Sequence, residues 1–185
     1  MFNNFKNKFS PNVSIDLGTS NVLVSVSDKG IIVNEPSIVA INNKTDEILA
    51  IGDEAKKMLG RTPPHISVSK PLECGIISDF EATEKMLKFF LDKLHSDRIL
   101  SAYRPRVIIG VPIGITGVER KAVEDAVFSA GAKEVFLVEQ PIAAALGAQI
   151  MINEPSGNLI VDFGGGATEI AVISLEGIVN WRRLE

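Results

Sequence analysis

Two short turns carry the residues best placed to do chemistry. "DLGTSN" runs from Asp16 to Asn21, and "DFGGGATE" from Asp162 to Glu169. Each follows an apolar run, opens on a carboxylate, passes through glycine and small polar residues, and leads into a second apolar run, "VLVSV" or "IAVIS". Where side chains are small or missing, several backbone N–H groups can converge on one ligand, and such a concavity suits phosphate oxygens. The carboxylates oppose that ligand. A Mg2+ ion resolves the conflict, because it binds oxygen and keeps most of its waters. Asp16 and Asp162 are therefore candidates to hold a hydrated metal, through water, while the two turns clamp a triphosphate from opposite sides. Thr19, Ser20 and Thr168 can donate hydroxyl bonds. Gly164, Gly165 and Gly166 are costly to order, and close approach of phosphate is the reason this pattern suggests for them.

Either turn alone is also what a β-hairpin wants, since Asp and Gly are turn residues. What sets the pair apart is the shared plan, repeated 146 positions later. Other nucleotide motifs fail. The chain has no Gly-Lys dipeptide, so the G-x-x-x-x-G-K-[ST] loop is absent. G-x-G-x-x-G is missed because Gly164 and Gly166 are followed by Glu169 and a strand.

Between the turns lies "VEQPIAAALGAQ", where a strand ends at Glu139-Gln140 and Pro141 opens a helix of small residues. Polar groups at a strand's C-terminal end face the usual cleft of an α/β sheet. Gln140 can orient an attacking water, and Glu139 can accept its proton or bind a water near the metal. The alternative is a solvated helix-capping region.

The elements that must position these residues follow from periodicity. "VSIDLGTSNVLVSVS" reads as two strands around the first turn. "GIIVNEPSIVAINNKTDEILAIG" alternates well enough for strands, with Pro36 favouring an edge. "DEAKKML" is a short helix, and "GRTPPHISVSKPLECG" a turn-rich connection. "SDFEATEKMLKFFLDKLH" is a helix with Ser78 and Glu81 at capping-box spacing. "RVIIGVP" and "EVFLV" are strands flanking a helix that Thr116 and Glu119 open and Gly131 closes. "NLIVDF" and "TEIAVIS" form a final hairpin. Strands alternating with capped helices indicate an α/β fold: a mixed sheet with crossover helices and a small α+β lobe inserted near residues 32–75.

Composition excludes several classes. The 185 residues are 45% hydrophobic and 23% charged, which suits a globular chain with a sizeable core. The net charge of −4 argues against bulk nucleic-acid binding. One cysteine, Cys74, permits no internal disulfide and fits a reducing cytosol, and two distant histidines give no zinc spacing. No apolar run reaches the length of a membrane span, and the N-terminus lacks a signal-peptide core. The opening "MFNNFKNKF" does place Met1, Phe2, Phe5 and Phe9 near one helical face, beside Lys6 and Lys8. That is the pattern of a basic interfacial helix, or else an unstructured tail.

The three motifs together, in this order and spacing, resemble the actin superfamily of actins, heat-shock chaperone ATPases and sugar kinases. "NEPSIVAI", "LGRTP", "DFEATEKML", "VPIGITGVERKAVEDAVFSAGAKEVFLVEQP" and "EPSGNLIVDFGGGATEIAVIS" are similar to the MreB group, bacterial actins that organise cell shape. The similarity covers about Val13 to Trp181. It implies a ribonuclease-H-like actin-type domain: subdomain IA at 10–31 and 76–152, an inserted IB at 32–75, and the start of domain II at 153–185. It assigns Asp16 through Asn21, with Gly18 and Asn21, to a first phosphate loop. Asp162 through Thr168, with Ala167, becomes the second, and Pro141 to Gly147 the connecting helix. It further implies ATP with Mg2+, slow hydrolysis and paired protofilaments of the chain with itself. A membrane-binding segment at 1–9, an anionic membrane surface, wall-elongation membrane proteins and a place at the inner face of the cell membrane also follow from it.

The family has two features that this chain lacks. It continues into a second large domain with adenosine-binding glycines, so the present chain alone is expected to hold nucleotide weakly and to be inactive. It also usually has Glu where this chain has Gln140, which can position a water but cannot accept its proton. The alternatives are a nucleotide-binding scaffold without hydrolysis, or another ATPase of the superfamily, such as a plasmid-segregation protein or a sugar kinase.

Overall fold

The computed structural model describes residues 10–94 and 104–185. The predicted membrane residues Phe2, Phe5, Lys6, Lys8 and Phe9 lie outside them. The chain opens with strands β1 (Asn12–Leu17), β2 (Asn21–Val26) and β3 (Gly30–Pro36). Next come β4 (Val39–Asn42), β5 (Glu47–Ile51), helix α1 (Asp53–Met58) and β6 (Ile66–Ser69). Two short strands, β7 (Leu72–Glu73) and β8 (Ile76–Ile77), lead into α2 (Phe80–Leu94). Then follow β9 (Arg106–Val111), α3 (Gly117–Ser129), β10 (Glu134–Glu139) and α4 (Gln140–Gly147). The last three strands are β11 (Asn158–Phe163), β12 (Thr168–Ser174) and β13 (Gly177–Leu184).

Period-two alternation builds the main sheet and aims its chemistry. In β1, Val13, Ile15 and Leu17 are buried while Ser14 and Asp16 face the other way. β2 repeats the pattern with Val22, Val24 and Val26. The five strands run β10-β9-β1-β2-β3, parallel on the β9 and β10 side and antiparallel on the β2 and β3 side. β3 is an edge strand, which suits Pro36. Helices α2 and α3 cover the inner face, where Met86, Leu87, Phe90, Val123 and Val127 join the strand valines and isoleucines in one cluster. The opposite face carries Ser14, Ile108 and Phe136 side by side in register and exposed.

Two smaller sheets flank this body. β5-β4-β6 packs with α1 around Ile38, Ala40 and Ala55. β11-β12-β13 packs through Ile160, Ala171 and Ile173 onto Ala145 of α4 and onto Ile113, which follows β9.

Thr116 and Glu119 make the full capping box, with both reciprocal bonds present. At α2 the cap is one residue later than its spacing predicts. Asp79, not Ser78, accepts from the Ala82 N–H at 3.0 Å, while Glu81 pairs with Lys85. Asp79 immediately precedes Phe80, the first helical residue, so it holds the N-cap position from which a side-chain oxygen reaches the first-turn amides. The stretch read as a turn-rich connection contains β6 and β7, both too short for alternation to show. β13 extends the final hairpin to three strands.

Candidate functional site

The two turns close in the same way. Gly18 N–H donates to the Asn21 carbonyl at 3.2 Å, and Gly164 N–H to the Ala167 carbonyl at 2.9 Å. Asp16 pairs in register with Leu23 and Leu17 with Val22; Asp162 pairs with Glu169 and Phe163 with Thr168. Every one of these positions in the second hairpin is its counterpart in the first plus 146. The internal echo of the sequence is therefore one hairpin geometry used twice.

The hairpins face each other across a cleft of about 950 Å3. Asp16, Gly18, Thr19, Ser20 and Asn21 line it from one side, and Asp162 and Gly164 through Ala167 from the other, with Gln140 among them. Two of the predicted residues lie elsewhere. Thr168 sits in the sheet opposite Phe163 and Leu184 and does not line the cleft. Glu139 turns toward α3, its carboxylate 3.7 Å from Arg120.

The three glycines have two distinct reasons. A Cβ on Gly164 would stand 2.8 Å from the Ala167 carbonyl oxygen, as one on Gly18 would stand 2.7 Å from that of Asn21. The first glycine thus serves its own turn. A Cβ on Gly165 would lie 2.0 Å from the Ser20 hydroxyl oxygen, and one on Gly166 2.5 Å from that of Thr19. The bare backbone there accommodates the opposing loop. None of the three has a positive φ, so close approach rather than conformational freedom demands them.

Asp16 opens toward the cleft, yet its carboxyl is held above the ordinary carboxylate range. Loss of water around it is the main cause and the Asp162 charge the second; a hydrogen bond with Gln140 works against both. Gln140 reaches it by lying over Gly110 of β9, where a Cβ would come within 3.4 Å of its Cγ. Among the described residues no three carboxylates, histidines or cysteines converge. The donor set is two facing carboxylates with room for water, which fits a hydrated Mg2+ better than a fully protein-ligated ion.

Several supporting residues carry little sequence signal. Ser37 is fully buried and pins the first loop from behind. Its hydroxyl donates to the Gly18 carbonyl at 2.5 Å and its N–H to the Ser20 carbonyl at 3.0 Å. Gly75 N–H donates to the Thr19 hydroxyl at 2.7 Å. Glu169, 3% exposed, accepts from the Ile113 N–H at 2.9 Å. Burial pushes its carboxyl up, and the Ile113 N–H and Arg183 offset that. Its place directly across from Asp162 was visible only through the doubling of the hairpin.

A mixed sheet with crossover helices and two facing carboxylate–glycine hairpins defines an actin-like protein. The chain superimposes with a TM-score of 0.84 on MreB5 of Spiroplasma citri bound to AMPPNP, and 0.85 on the same protein bound to ADP. Both are 40% identical to it, and the match covers 95% of this chain and 52% of theirs. A MamK double helical filament at 21% identity shares the fold, with a TM-score of 0.76.

The chain belongs to the MreB/Mbl family, whose model matches residues 10–185. It is 48% identical over 183 residues to the cell shape-determining protein MreB of Escherichia coli strain K12, covering 97% of this chain and 52% of that one. It is 50% identical over 172 residues to the cell shape-determining protein Mbl of Bacillus subtilis strain 168, covering 93% and 51%. The chain thus spans about half the length of the curated relatives it matches.

Proposed function

We propose that this chain supplies the phosphate-binding half of an ATP-dependent, filament-forming protein that organises cell shape at the membrane. The doubled hairpin carries this reading: two loops of one register present amides and small hydroxyls to a shared cleft, with one carboxylate from each. Asp16 and Asp162 hold Mg2+ through water, and the ion supplies positive charge to the phosphate oxygens. With the Gly18 and Gly164 N–H groups spent on closing the turns, Thr19 through Asn21 and Gly165 through Ala167 hold those oxygens with backbone N–H groups. Gln140, at the start of α4, orients a water by hydrogen bonding, as an amide can do without accepting its proton. The relatives' nucleotide complexes and the MamK filament support ATP and self-assembly. Among the described residues no helix is long and apolar enough to cross a membrane; residues 1–9 are the proposed attachment to an anionic inner surface, beside wall-elongation proteins.

Titration with a fluorescent ATP analogue, with Mg2+ and then with excess chelator, tests the cleft. Binding that needs the metal and is lost in Asp16→Ala and Asp162→Ala supports it. Metal-independent binding, or binding unchanged in both variants, rejects the two-loop site.

A second reading is a scaffold that binds nucleotide without hydrolysing it. The amide of Gln140, engaged on Asp16 where a carboxylate would serve as base, favours it. Phosphate release during assembly separates the two.

A further inference from the structure

Glu169 and Arg183 are register partners on β12 and β13. Glu169 is buried, at 3% exposed, and the Arg183 side chain is largely covered, at 10%. Each nevertheless has a polar atom without a partner, Oε2 of Glu169 and Nε of Arg183. Their bonds go elsewhere. Glu169 is held through Oε1 by the Ile113 N–H. Arg183 donates from Nη2 to the Cys74 carbonyl and pairs with Glu185 at 3.1 Å. Unmet polar atoms at buried charges are costly. Glu169 also feels Asp162 from β11 and Glu139 from the end of β10, against which Arg183 supplies positive charge. A buried acid and a largely covered guanidinium on facing positions, each with an unsatisfied atom, form a latent ion pair.

The bond that Arg183 does make has consequences for the cleft. Cys74 and Gly75 form a tight left-handed turn, with φ of 47° and 75°. The Gly75 N–H holds the Thr19 hydroxyl, and Thr19 stands against Gly166. A closed circuit results: β13 to the turn, the turn to the first loop, the first loop to the second, and the second back through β12.

We propose that Arg183 is a latch with two seats. On the Cys74 carbonyl it fastens β13 to the turn that holds Thr19 and keeps the two loops together; on Glu169 it frees that turn and lets the loops part. The role of the loops in gripping phosphate rests on the function proposed above, but the latch is a property of the chain without nucleotide and is tested without it.

Amide hydrogen exchange at Gly75 reads the latch. Arg183→Gln removes both seats, and Gly75 exchange should rise about tenfold, the factor for one net hydrogen bond. Glu169→Gln keeps the acceptor for Ile113 N–H and removes the charge of the second seat, so Gly75 exchange should slow. Trp181, the sole tryptophan, lies against Gly114, and its emission shows whether the hairpin stays docked. Unchanged exchange in folded Arg183→Gln overturns the latch. Unchanged or faster exchange in Glu169→Gln overturns the second seat, and that variant decides the matter alone if Arg183→Gln does not fold.

Discussion

Thr19 and Gly166 meet across the cleft: a Cβ on the glycine would stand 2.5 Å from the threonine hydroxyl oxygen and 2.9 Å from its Cβ. The two loops are in van der Waals contact at their tips. Replacing Gly166 therefore acts on a neighbour that is itself fixed by the Gly75 N–H. Gly166→Ala should cost about 1–3 kcal/mol by overpacking, read from urea unfolding. Gly147→Ala, where nothing lies within 4 Å, should instead stabilise by about 0.4–1 kcal/mol. Equal effects would mean that the loop contact does not constrain the fold.

The Asp16 carboxyl titrates above its usual 3.8, first through desolvation and then through Asp162. A raised acid favours folding below the unfolded value, and the benefit is lost as pH rises through the folded one. Without nucleotide or metal, stability should decline with rising pH through that window. Asp16→Asn should flatten the decline and raise the neutral-pH melting temperature. Thermal melts at a series of pH values upward from the ordinary carboxylate value of 3.8 check this. A variant less stable than the parent at neutral pH contradicts it.

Gln140 hydrogen bonds Asp16, so Gln140→Glu would set carboxylates face to face. The apo protein should lose stability and regain it with Mg2+. If a base is what the site lacks, turnover of bound ATP should rise by about 10²–10⁴-fold. Glu139 points to Arg120, so Glu139→Gln should leave turnover unchanged. Single-turnover phosphate release on both variants measures this, and silencing by Glu139→Gln would move the base to that residue.

Helix α2 offers a test of local capping. Asp79→Ala should cost about 0.5–2 kcal/mol, while Ser78→Ala, one residue outside the cap, should be nearly neutral. Chemical unfolding compares them, and the reverse order would restore the capping box expected at Ser78 and Glu81.

Residues 1–9 are to be tested by pelleting with vesicles. Three phenylalanines, at about 1.5–3 kcal/mol each when fully buried, should anchor the segment to anionic lipid. Alanine at Phe2, Phe5 and Phe9 together should abolish pelleting. Retained pelleting would assign binding to another surface.

Much of the fold was legible because its signals are periodic. Val13, Ile15 and Leu17 announce β1 and place Asp16 on the opposite face, and Pro141 marks the start of α4. The paired turns were legible because they repeat. What stayed hidden depends on long-range approach. Nothing near Ser37 shows that it will hold the back of the first loop, and nothing in "GGG" says that Ser20 and Thr19 fill the space beside it. Glu139 and Gln140 are adjacent in sequence, yet a strand end sends one to α3 and the other to the cleft. Strands of four residues or fewer, such as β6 and β7, are too brief for alternation to separate them from loop.

The outer face of the main sheet has a practical consequence. Ile108 and Phe136 lie exposed on strands β9 and β10, whose parallel pairing is normally shielded on both sides. The Arg106 guanidinium, 5.5 Å from the Phe136 ring centroid, covers part of this pair, and the apolar surface left exposed is adhesive. Preparations of the chain will tend to clump through it, and turbidity alone will not distinguish clumps from ordered filaments. Clumping of this origin is expected to dissolve in mild detergent, to ignore nucleotide, and to diminish when Phe136 is replaced by a polar residue.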